Sequence, residues 1–72
     1  MKKSYKIEVE CAYCAEKMER AAAKIAGVER ARVNFLLQRI DIEFAEGSDV
    51  KEVMAEVLRA CRRVEPDCDI AY

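Results

Sequence analysis

No apolar run in this 72-residue chain approaches the roughly 18 residues of a membrane-spanning helix, and no apolar segment near Met1 resembles a secretory signal. There is no basic tract either: thirteen basic and fourteen acidic residues are spread along the chain, for a net charge of -1. That distribution speaks against a nucleic-acid partner. Only one proline and two glycines occur, and no linker, low-complexity segment or sequence repeat separates one part of the chain from another. The expectation is a single cytosolic domain, residues 1–72, with no membrane insertion. A chain of this length buries only about 60% of its unfolded surface, so its core is small. The hydrophobic fraction of 53% beside 38% charged residues is that of a folded, soluble domain that needs no metal to fold.

Four cysteines are present. A disulfide framework needs a secretory context, which the start Met1-Lys2-Lys3-Ser4 does not offer, so they read as thiols. Cys11 and Cys14 stand three positions apart where a strand-like run ends and a helical pattern begins. Two cysteines so spaced can point at one centre. Thiolates are soft ligands and select Cu(I), Zn(II) and, by extension, Cd(II) or Pb(II) over hard ions. Unpaired N–H groups at a helix start favour the thiolate form. Lys17 acts in the same direction, and Glu10 and Glu16 oppose it.

Alternation from Ser4 to Val9 puts Tyr5, Ile7 and Val9 on one face of a half-buried strand. Helical spacing of Cys14, Met18, Ala21, Ala22 and Ile25 predicts a helix over 14–26, with Gly27 as its terminator. Two alternating stretches, 28–35 and 38–44, read as antiparallel strands joined through 34–38. Ser48 or Asp49 caps a second helix whose stripe is Val50, Val53, Met54, Val57, Leu58 and Cys61. Arg62 and Arg63 suit its C-terminal end, and Pro66 closes the loop before a last strand that carries Cys68, Ile70 and Tyr72 on one side. The order βαββαβ predicts an α+β, ferredoxin-like sandwich: a four-stranded antiparallel sheet with both helices on one face.

With the CxxC at the first strand–helix junction, followed by Ala15-Glu16-Lys17-Met18-Glu19, Ile25-Ala26-Gly27-Val28, Val33-Asn34-Phe35 and Val64-Glu65-Pro66-Asp67-Cys68, the chain resembles the heavy-metal-associated domain family over essentially its whole length. Glu10-Cys11-Ala12-Tyr13-Cys14-Ala15 is similar to the acidic-residue-CxxC-Ala form at the N-termini of zinc-, cadmium- and lead-transporting P-type ATPases. Copper-handling members usually carry Gly-Met where this chain has Glu8 and Val9, and against related zinc-type sequences the loop lacks one glycine. The resemblance implies an exposed, reversible site that receives a metal ion and passes it on by stepwise thiolate exchange. It implies partners among the other domains of such an ATPase or a metallochaperone. Nothing in it implies an enzyme.

The metal ligands expected are therefore Cys11 and Cys14. Zinc-like ions prefer four donors, and Glu10 is the candidate third ligand, with a solvated strand-end carboxylate as its plainer reading. Zn(II), Cd(II) or Pb(II) is favoured, and Cu(I), content with two thiolates, is the alternative. A monomer is expected, or a dimer that shares a metal ion. From another class, a dithiol redox protein also fits a CxxC that opens a helix, although the thioredoxin-like fold is longer and the only proline, Pro66, lies elsewhere. Cys61, Cys68 and Met18 read as core, Asp67 and Glu65 as solvated, and Tyr13 as an exposed residue between the thiols.

Overall fold

A computed structural model describes all residues, 1–72. The elements run β1 (Lys2–Glu8), α1 (Ala12–Ala23), β2 (Val28–Asn34), β3 (Arg39–Phe44), α2 (Val50–Val64) and β4 (Asp69–Ala71). The sheet order is β2-β3-β1-β4, every neighbouring pair antiparallel. Ile7 and Val9, Ile40, Ile42 and Phe44, and Ile70 face Ala15, Met18 and Ala22 of α1 and Val53, Met54, Val57 and Cys61 of α2 in one buried cluster. The opposite sheet face carries Lys2, Ser4, Lys6 and Glu8, all exposed. This is the ferredoxin-like sandwich that the alternation and helical spacing predict.

Where element boundaries differ from the sequence reading, a specific contact accounts for the difference. Helix α1 begins at Ala12, two residues early, because Cys11 itself is the N-cap: its backbone is extended and its sulfur accepts the Cys14 N–H. The helix ends at Ala23, three residues early. There Lys24 N–H donates to Ala21 C=O and Ile25 N–H to Ala22 C=O, a tightened last turn that swings Ile25 against the core. In β2 the register shifts between Val28 and Arg30, which reconciles Val28 with the inward parity of Ala31. At the other end of the chain, Tyr72 is 52% exposed and does not share the buried side of Cys68 and Ile70, because β4 stops at Ala71. Asp49, not Ser48, caps α2 and accepts the N–H groups of Lys51 and Glu52.

Gly27 occupies φ +93°, and a Cβ there would lie 2.7 Å from Val53 Cγ2. Both the positive φ and the close approach of α2 exclude a side chain. Gly27→Ala is expected to cost about 1–3 kcal/mol, read as a fall in the denaturation midpoint with an unchanged m-value. A loss below a few tenths of a kcal/mol would show that the turn relaxes freely.

Candidate metal-binding site

The site lies on the β1–α1 connection, Val9 to Cys14. Val9 is buried, Glu10 is exposed, and Cys11 and Cys14 are half-buried. Two consecutive backbone donors of this loop are held by side chains from distant turns. Val9 N–H donates to Gln38 Oε1 at 2.9 Å, and Glu10 N–H donates to both carboxylate oxygens of Glu65 at 3.2 Å. Gln38 also takes Ile7 N–H on its own carbonyl, so the β2–β3 turn is stitched to the end of β1. The loop is thus exposed yet tethered on both sides, which spares part of the entropy that a flexible loop loses on closing around an ion.

The fold brings Cys11 and Cys14 together: their Cα atoms are 5.2 Å apart and the sulfurs are bonded as a disulfide. The reading of four thiols therefore holds for Cys61 and Cys68 alone. The physical reason is the helix start. An extended N-cap followed by one turn of helix places positions i and i+3 within the span that a disulfide bridges. The same geometry aims the Cys14 N–H at Cys11 Sγ, at 2.9 Å. A sulfur at a helix N-terminus that accepts a backbone N–H carries negative charge more readily than one facing bulk apolar side chains.

Glu10 is adjacent in sequence, but no group of three or more Cys, Asp or Glu side chains converges as a ligand set. The Lys17 ammonium lies 4.7 Å from the centroid of the exposed Tyr13 ring. Glu65, read from sequence as merely solvated, is the half-buried C-cap of α2 and the acceptor for Glu10 N–H. Gln38 was not singled out by the sequence at all. Its backbone has φ +52°, and its amide bonds both Phe35 C=O and Val9 N–H. No spacing rule could have found either residue, since each reaches the site only through tertiary contact. Arg62 is more than a helix-end charge: its Nε donates to Cys68 C=O at 2.9 Å and its Nη2 pairs with Asp69 at 3.3 Å.

Leu36 is 90% exposed and Leu37 70%, and Leu36 lines one shallow groove with Ala12 and Phe35. An apolar rim, with Tyr13 63% exposed, therefore borders the loop.

Solved structures share this fold. The N-terminal domain of a potential copper-translocating P-type ATPase from Bacillus subtilis, in its Cu(I)-loaded state, is 28% identical, with 96% of this chain and 81% of that one covered and a TM-score of 0.72. The N-terminal domain of ZntA in its apo form is 25% identical over 97% of this chain and 88% of that one, TM-score 0.69. The chain has the fold of heavy-metal-associated domains and is similar to them over nearly its whole length. The CopZ metallochaperone, 19% identical with 99% and 100% coverage and a TM-score of 0.74, shares the same fold. No protein-family model matches the chain, and no curated protein does. No helix is long and apolar enough to cross a membrane.

Proposed function

We propose that residues 1–72 form a single heavy-metal-associated domain that carries a thiophilic ion on the reduced sulfurs of Cys11 and Cys14 and hands it on by ligand exchange, without catalysis. The observation that supports this most directly is the convergence of those two sulfurs on an exposed loop whose backbone is tethered by Gln38 and Glu65. Exchange needs exposure, so that an incoming thiolate can reach the ion before an outgoing one leaves. The apolar rim of Leu36, Leu37 and Tyr13 offers a docking surface for a partner domain of a cytosolic metallochaperone or a metal-transporting ATPase.

For the ion we propose Zn(II), Cd(II) or Pb(II), with Glu10 as third ligand. Glu10 adjoins Cys11 in sequence, and the carboxylate of Glu65 beside its N–H adds negative charge at the loop, which favours a divalent cargo. A second reading, Cu(I), draws support from the absence of a gathered third donor and from the likeness to a Cu(I)-loaded domain. Two thiolates suffice for that ion.

A competition titration of reduced protein with each ion separates the two. For a divalent carrier, Glu10→Ala weakens Zn(II), Cd(II) and Pb(II) binding by about 10- to 100-fold, at least the loss expected for an outer-shell partner, while Cu(I) binding stays as it was. Equal effects on all four ions, or none, would refute Glu10 as a ligand. Tight binding of Cu(I) alone would make the domain a copper carrier.

A further inference from the structure

Cys61 and Cys68 form a second pair of thiols for which metal carriage has no use. Both are free and essentially unexposed, at 0% and 1%. Cys61 lies in the last turns of α2 and Cys68 just before β4, and both side chains belong to the one buried cluster. Their backbones meet on one residue: Glu65 N–H donates to Cys61 C=O at 3.0 Å, and Cys68 N–H donates to Glu65 C=O at 2.9 Å. The same Glu65 holds Glu10 N–H with its carboxylate. This turn therefore joins the buried pair to the metal-binding loop.

The two thiols are not equivalent. Interaction with Cys68, and after it burial, push the Cys61 thiol well above the ordinary cysteine range. Cys68 is pushed the other way by Cys61 and, less, by Arg62, and these outweigh its burial and the carboxylates of Glu65 and Asp69, so its thiol ionises more readily than an ordinary cysteine. Access is governed by β4. It has three residues, forms the sheet edge, and pairs only with β1, at Lys6, Ile7 and Glu8. A short edge strand is among the first parts of a fold to open.

We propose that Cys61 and Cys68 are a buried redox dithiol that closes into a disulfide by exchange with a low-molecular-weight disulfide, strapping β4 to α2. The Cys68 thiolate attacks one sulfur of the small disulfide, forming a mixed disulfide and expelling one small thiolate. Cys61, giving up its proton, then attacks the Cys68 sulfur and expels the second. The protein loses two electrons and two protons, and the small disulfide is reduced to two thiols. The bridge closes the α2–β4 turn and restrains Glu65, hence the tether on Glu10. This inference stands independently of which metal the surface pair carries.

The test uses the full chain with Cys11→Ser/Cys14→Ser, reduced and then incubated with glutathione disulfide in native buffer. The expected product has lost the mass of two hydrogens, carries no glutathione, and yields a peptide cross-linked between Cys61 and Cys68. Its melting temperature is higher by several degrees, and exchange of the Glu10 amide hydrogen is slower. Adding Cys61→Ala should stop the reaction at a glutathione adduct on Cys68. Two unreacted thiols in native buffer, a stable double adduct, or a bridge that lowers the melting temperature would each overturn the proposal.

Discussion

Changing Cys11 and Cys14 together to serine removes high-affinity binding of every thiophilic ion, by more than about 100-fold, while the fold persists. Loss on this scale follows because a hydroxyl is neither ionised near neutral pH nor soft, so both the charge and the polarisability that select such ions vanish. The fold persists because neither residue belongs to the fully buried core and the helix retains an oxygen-bearing cap at position 11, where serine is a preferred residue. Two further controls sharpen the result. The thiolate is the metal ligand and disulfide sulfurs carry no such charge, so binding should appear only after reduction. Cys61→Ala should leave one ion bound per chain. Chelator competition, with stoichiometry from mass spectrometry under native conditions, reads all three, and undiminished binding by the double serine variant would place the metal elsewhere.

The second large effect is on stability. Phe44 is 2% exposed and is the bulkiest of the fully buried side chains. Truncating it to alanine is expected to cost about 3–5 kcal/mol, the transfer of the ring plus the cavity it leaves. Against a total of about 4–11 kcal/mol for a chain of this length, the variant would be marginal at 25 °C and would melt at least roughly 12 °C lower. Phe44 pairs with Val28 and donates its N–H to Met1 C=O, at the end of the sheet opposite the loop that carries Cys11 and Cys14. Metal affinity of the folded fraction in the cold should therefore be unchanged. A loss under 1 kcal/mol would mean that the core collapses to fill the space.

Apolar periodicity carried most of the fold. Alternation at Tyr5, Ile7 and Val9 and at Ile40, Ile42 and Phe44, and the helical stripe from Val50 to Cys61, are local patterns that hold whatever the chain packs against, and the structure buries those faces. The burial of Cys61 and Cys68 follows from the same periodicity. The CxxC spacing likewise specifies that two sulfurs can meet at a helix start, because they stand only three positions, about one turn, apart.

What the tertiary structure decided is everything that depends on residues distant in sequence. Glu65 reaches Glu10 across 55 positions, and Gln38 reaches Val9 across 29, through hydrogen bonds that exist only once α2 and the β2–β3 turn are packed. The end of α1 at Ala23 reflects the pull of Ile25 into the core, and the exposure of Tyr72 reflects where pairing with β1 runs out. Local sequence determines which faces are apolar and where the thiols sit, because those properties are set within a few bonds. Which carboxylate and which amide hold the loop is set by the closing of the whole domain.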